Sequence, residues 1–179
     1  MSWIPLVTAE EASPNVKKTY EFLQENWKFV PNYFLALGRD KNLLEDQVNL
    51  FTNVMFMERE GGLPRLVKEQ LALVVSGINV SSYCLAAHME ILSGLGMEKK
   101  MSRKLALDFE HAPVEPNVMA LFRFAAKLTK KPGEMEKADV DRLREAGWGD
   151  GEIVDAVLVI SSYALANRFS AGLGLIADF

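Results

Sequence analysis

Apolar positions along this chain recur at three- and four-residue spacing in long stretches, with Pro and Gly falling between them. β-Branched residues cluster only in short runs embedded within those stretches, so the pattern predicts an all-α fold. After Pro14, the spacing of Tyr20, Leu23 and Trp27 predicts an amphipathic helix over 16–27. Pro31 opens a short helix ending near Gly38. Leu43, Leu44, Val48, Phe51, Val54 and Met55 predict a helix over about 42–58, stopped by Gly61-Gly62, and Pro64 suits the first turn of the next. Across 66–75 only Lys68, Glu69 and Gln70 are polar, the pattern of a buried helix. Gly77 and Asn79 interrupt it, and Ser81 or Ser82 can cap a helix running to about Gly94. Further helices are predicted near 100–109, 117–130, 139–146 and 150–173, with 113–116 as the linker between halves.

One internal repeat is visible. Ser81-Ser82-Tyr83-Cys84-Leu85-Ala86 recurs as Ser161-Ser162-Tyr163-Ala164-Leu165-Ala166, and each copy runs into Gly-Leu-Gly, at Gly94-Leu95-Gly96 and Gly172-Leu173-Gly174. The shared polar start and Gly-rich stop favour duplication of a helical unit over coincidence. Where chemistry would sit the copies diverge: Ala164 stands for Cys84 and Arg168 for His88. At 179 residues the chain makes one domain. It divides into an N-terminal helical extension over about 1–60, a motif-bearing half over about 63–112 and a degenerate half over about 113–179.

Composition narrows the function classes. Apolar residues at 49% and charged ones at 25% describe a globular chain rather than a disordered one. Net charge is −4 and no basic cluster exceeds two adjacent residues, which argues against nucleic acid as a partner. A single cysteine excludes an internal disulfide and a multi-Cys zinc site, and suits a reducing, cytoplasmic setting. The N-terminus lacks a signal-peptide pattern, and no uninterrupted apolar stretch reaches membrane-spanning length, so no membrane partner is expected. His88 has Leu85 where a Glu-x-x-His metal pattern would need an acid, so neither a metal nor another cofactor is expected. Residues 139–160 resemble a helix-turn-helix in outline, but Ile153, Val154, Val157, Leu158, Val159 and Ile160 make the second helix a core element. Neither a Gly-rich phosphate loop nor a Gly-x-Ser-x-Gly elbow is present.

The candidate chemistry lies at Cys84 and His88, four residues apart and therefore on one helical face, about 40° around the axis and roughly 6 Å along it. A cysteine in the first turn after a serine cap sees free N–H groups and the positive end of the helix, so the expectation is a thiol more acidic and reactive than average. The opposing reading is a small buried hydrophobe in an Ala-rich helix. Glu69 is the one acid in the apolar helix upstream, and a buried carboxylate needs a partner. In one continuous helix it would lie about 22 Å from Cys84. A turn at 77–79 would instead return it toward Cys84 and His88, the alternative being an ion pair with Lys68, Arg65 or Arg168.

Glu69, eleven residues, Ser81, two residues, Cys84, three residues and His88 resemble the Glu-x11-Cys-x2-Cys-x3-His signature of AhpD-like alkylhydroperoxidases in the carboxymuconolactone decarboxylase superfamily. The flanking 80–88 stretch resembles its peroxidase-related branch, as do Phe124–Thr129, Ala138–Val140, Leu143–Trp148 and Asn167-Arg168. The resemblance implies an all-α, AhpD-like fold with internal duplication and a homo-oligomer. It implies a thiol-dependent peroxidase in which Cys84 attacks hydroperoxide and His88 and Glu69 relay protons. Ser81 stands where the resolving thiol belongs. A hydroxyl closes no disulfide, so turnover would need an external thiol reductant. Ser81 could also act as N-cap, accepting from the Cys84 N–H. Two further readings remain: a non-redox decarboxylase using Glu69 and His88 as acid and base, and a non-catalytic oligomer binding a small ligand in a Met-rich groove.

Overall fold

The apolar run that follows Pro64, broken by Lys68, Glu69 and Gln70, becomes the centre of the molecule. The computed structural model describes residues 2–179. Among the described residues there are nine α-helices and no strands: α1 Pro14–Trp27, α2 Asn32–Leu37, α3 Lys41–Phe51, α4 Arg65–Ile78, α5 Ser82–Gly94, α6 Lys99–Asp108, α7 Pro116–Lys130, α8 Lys137–Glu145 and α9 Asp150–Gly172. α4 is packed by α5, α6, α7 and α9, and every residue from Val67 to Ser76 is buried. Leu71, Leu73, Val74 and Val75 are almost wholly removed from water, each stabilising the fold by about 1.5–3 kcal/mol. Gly77 sets the α4–α6 crossing, because a β-carbon there would run into the carbonyl oxygen of Ala106.

The N-terminal helices form a second layer, α1 and α2 both packing on α3. Ser13 caps α1, and Asp40 caps α3 by accepting from the N–H groups of Asn42 and Leu43 at 2.9 and 3.1 Å. The helix expected over 42–58 is shorter than its periodicity suggests. α3 ends at Phe51, one π-helical turn follows over Thr52–Phe56, and Met57 is extended. The Met57 N–H donates to the Thr52 carbonyl at 3.2 Å, a five-residue register that three- and four-residue spacing does not reveal.

The chain from Arg59 to Leu63 is pinned to α9 by Asp155, which pairs with Arg59, accepts from the Leu63 N–H at 3.1 Å and lies 3.6 Å from the buried Lys68 ammonium. α9 is long and apolar enough to cross a membrane by those criteria alone. Its Asp155, Ser162, Asn167 and Ser170 are buried within the protein, the arrangement of a core helix. The two copies of the repeated hexapeptide sit differently, one opening α5 and the other inside the continuous α9. Their Gly-Leu-Gly ends do match: Gly96 and Gly174 both take left-handed φ just past a helix end. Met97 then donates to Leu92 and Leu175 to Ser170, each at 2.9 Å.

Candidate active site

The same C-terminal motif turns α4 into α5, but with a valine at its left-handed position. Ser81 donates from its N–H to the Ser76 carbonyl at 3.0 Å and Val80 to Gly77 at 3.1 Å, while Val80 takes φ +53°. A β-branched residue in this region is strained, at about 1–3 kcal/mol. The reversal lays α5 beside α4 and folds Glu69 back onto His88.

Glu69 is 1% exposed, and both its oxygens are engaged. Oε2 lies 2.5 Å from His88 Nδ1, and Oε1 lies 2.5 Å from Arg65 one turn earlier on α4. The two readings of this acid are therefore both realised, since it makes the Arg65 ion pair and also holds the imidazole. Lys68 goes instead to Asp155, and Arg168 turns outward to the Ala164 carbonyl. Burial pushes the Glu69 carboxyl up, but the charges and hydrogen bonds of His88 and Arg65 outweigh it and hold the group below the usual glutamate range. An ionised carboxylate only accepts, so His88 donates from Nδ1, and in the neutral ring Nε2 is the proton acceptor.

Cys84, the third residue of α5, is 4% exposed. The expectation of an acidic thiol is corrected: burial pushes the Cys84 thiol above its ordinary value, only partly offset by the neighbouring polar side chains of Ser81, Asn167, Ser170 and Ser76. Desolvation outweighs the helix terminus here. Ser81 occupies the N-cap position but its side chain caps nothing. The hydroxyl turns to α9, where Oγ lies 3.3 Å from Ser170 Oγ, and the same Ser170 oxygen lies 3.9 Å from Cys84 Sγ.

Cys84, His88 and Glu69 line one cavity of about 330 Å³, and Ser81 lies outside its lining. The walls are aromatic: Trp27 from α1, Tyr33 and Phe34 from α2, Phe51 from α3, Phe56 from the π turn and Tyr163 from α9. The Tyr163 ring meets His88 edge-on at 4.4 Å, and the Arg65 guanidinium stacks over Phe56 at 3.9 Å. Burial, then the Glu69 charge, raises the Tyr163 phenol. At the mouth, Asp178 accepts from the Tyr83 hydroxyl at 2.6 Å and from the Asn32 N–H at 2.8 Å, and Phe179 stands edge-on to Phe29. Burial, then Asp178, raises the Tyr83 phenol. Sequence reasoning missed Asp178, Ser170 and the aromatic wall, which come from elements distant in the chain and carry no motif, and it missed Tyr163, whose place in the repeated hexapeptide was the one available signal.

No family model matches the sequence, and no curated protein matches it. Solved structures do. An uncharacterized peroxidase-related protein from Silicibacter sp. TM1040 is similar at 28% identity and TM-score 0.89, over 98% of this chain and 91% of that one. An uncharacterized peroxidase-related protein with an alkylhydroperoxidase AhpD core, from Ralstonia eutropha JMP134, gives 24% identity and TM-score 0.90 over 99% and 92%. A cysteine-to-alanine variant of the debrominase Bmp8, in complex with 2,3,4-tribromopyrrole, shares the fold at 18% identity and TM-score 0.82 over 99% and 94%.

Proposed function

The chain belongs to the AhpD-like group of the carboxymuconolactone decarboxylase superfamily, and from that premise we propose that it is a thiol-dependent peroxidase for small neutral organic hydroperoxides, with Cys84 as the attacking sulfur. The observation that carries this reading is that a lone thiol and a Glu69-held imidazole open onto one aromatic-walled cavity. His88 Nε2 takes the Cys84 proton, a transfer the raised thiol requires at the moment of reaction. The thiolate attacks the terminal peroxide oxygen, forming S–O as O–O breaks with its electron pair leaving on the alkoxide. His88 returns the proton to that alkoxide, giving alcohol and Cys84 sulfenic acid. Sulfur is oxidised by two electrons and peroxide reduced by two. Glu69 balances the imidazolium charge throughout, and Arg65 fixes Glu69.

Ser81 cannot condense with the sulfenic acid, so two equivalents of external thiol would restore Cys84, releasing water and a disulfide. Arg65 is neutralised by Glu69, and the remaining lining is apolar apart from Asn26, Tyr33, Tyr83, Cys84, His88, Tyr163 and Asp178, which suits neutral substrates over anionic ones. The exposed Val154, Leu158 and Leu165 stripe on α9 supports a homo-oligomer. Consumption of cumene hydroperoxide with dithiothreitol tests the activity: wild type consumes it, Cys84→Ser does not, and equal rates in the two would remove the proposal. Similarity to the debrominase, together with the aromatic wall, favours one second reading. There a halogenated aromatic replaces the hydroperoxide as oxidant, with two thiols yielding the dehalogenated ring, disulfide and hydrogen halide. Halide release from a bromopyrrole, with no peroxide consumption, would select it.

A further inference from the structure

Cys84 divides two environments. One is the aromatic cavity. The other is a buried polar chain of Ser76, Ser81, Asn167 and Ser170, none more than 3% exposed and none part of the cavity lining. Asn79 donates from Nδ2 to Asn167 Oδ1 at 2.9 Å, Asn167 from Nδ2 to Ser76 Oγ at 3.0 Å, and Ser170 Oγ touches both Ser81 Oγ and Cys84 Sγ. Such a network is a large investment for a core that could have been apolar.

The Ser170 hydroxyl has one hydrogen, which it gives to the Ala166 carbonyl at 2.8 Å. Its oxygen is therefore an acceptor toward the resting Cys84 S–H and the Ser81 O–H. Within α9 the Ala166 carbonyl also receives the helical Ser170 N–H. The hydroxyl can thus rotate away and leave no orphaned carbonyl. Of the three cavity tyrosines, Tyr83 gives its hydroxyl to Asp178 and Tyr33 to Gln47, which leaves the Tyr163 hydroxyl as the competing donor on that side.

We propose that Ser170 is a positioning residue for Cys84: its hydroxyl accepts the resting S–H, then turns to donate to the thiolate once His88 holds the proton, with Ser81 donating behind it. This gives the residue at the family's resolving-thiol position a function of its own. A hydrogen bond to an anion is stronger than one from a thiol, so the pair favours ionisation on balance. The inference rests on Cys84 being the attacking thiol. The charged and titratable groups around the sulfur are His88 on α5, Glu69 and Arg65 on α4, Tyr163 on α9, Tyr33 on α2, the adjacent Tyr83, and Asp178 in the C-terminal segment.

The test is the pH profile of Cys84 alkylation by iodoacetamide, read by intact mass, in wild type, Ser170→Ala, Ser170→Thr and Ser81→Ala. Ser170→Ala should move the midpoint up by about one pH unit, lowering the rate below the midpoint about tenfold while the rates converge above it. Ser170→Thr should restore the wild-type midpoint, and Ser81→Ala should shift it upward by less. A purely structural role would lower the melting temperature and leave the midpoint in place. Unmoved midpoints in folded Ser170→Ala and Ser81→Ala overturn the inference; if Ser170→Ala does not fold, Ser81→Ala alone decides. The readout is independent of turnover. A shifted midpoint in a protein that consumes no peroxide sinks the peroxidase reading alone, and an unmoved midpoint in an active peroxidase sinks this inference alone.

Discussion

Replacing Glu69 by Gln exchanges one carboxylate oxygen for an NH₂ group and inverts the logic of the site. The Arg65 guanidinium only donates, so the Gln carbonyl oxygen must face it, and the amide NH₂ then faces His88 Nδ1. That nitrogen becomes an acceptor, the ring proton moves to Nε2, and the imidazole presents a donor where Cys84 needs a base. Loss of a positioned general base costs about 10²–10⁴ in rate. Breaking a buried ion pair costs about 3–5 kcal/mol. Arg65 is 21% exposed and keeps some hydration, which places the cost near the lower bound. At about 2–4 °C per kcal/mol for a chain of this length, the melting temperature should fall by about 6–12 °C. Nitrogen chemical shifts of the labelled ring should report the tautomer directly, with peroxide consumption measured on the same sample. A variant that melts within about 2 °C of wild type, keeps the proton on Nδ1 and retains its rate would refute the reasoning.

Three further outcomes follow from the geometry. Burial works against Glu69 ionisation, but His88 and Arg65 hold the carboxyl below the usual range. Its contribution is therefore complete above the unfolded glutamate value of about 4.3 and lost as pH falls through the lower folded one, so melting curves of wild type and Glu69→Gln should converge in acid. Persistent separation at low pH would contradict that. Val80→Gly relieves a left-handed valine that is 81% exposed and packs on little; after the entropy cost of glycine the gain should reach about 1 kcal/mol, seen as a higher melting temperature. A lower one would mean that Val80 is not strained. In Ser81→Cys, both sulfurs would reach the same Ser170 hydroxyl, so peroxide should yield an internal disulfide and faster multiple turnover; a variant that stays fully reduced would show the two side chains diverge.

The helical frame was legible because α4 and α9 write their burial into long apolar runs and because Gly77 and Asn79 mark the reversal. That reversal made a Glu69–His88 contact possible but left it open against an ion pair with Arg65, and the structure makes both. The π turn was hidden, since residues 52–56 keep apolar spacing while their backbone register changes. The thiol's acidity was misjudged because a helix terminus can be read from Ser81 and Ser82, whereas the desolvation that overrides it depends on α9 and the N-terminal layer closing over Cys84. Ser170 was invisible for a similar reason. A serine inside an apolar helix carries no signal until its neighbour across the helix interface is known.

Whether Cys84 meets peroxide as a nucleophile can be asked directly by pulsing the protein with cumene hydroperoxide in the presence of a sulfenic-acid trap and weighing it intact. Wild type should gain one trap adduct at Cys84 within seconds, Glu69→Gln far more slowly and Cys84→Ser not at all. A wild-type thiol that iodoacetamide alkylates but peroxide leaves untouched would contradict the assignment.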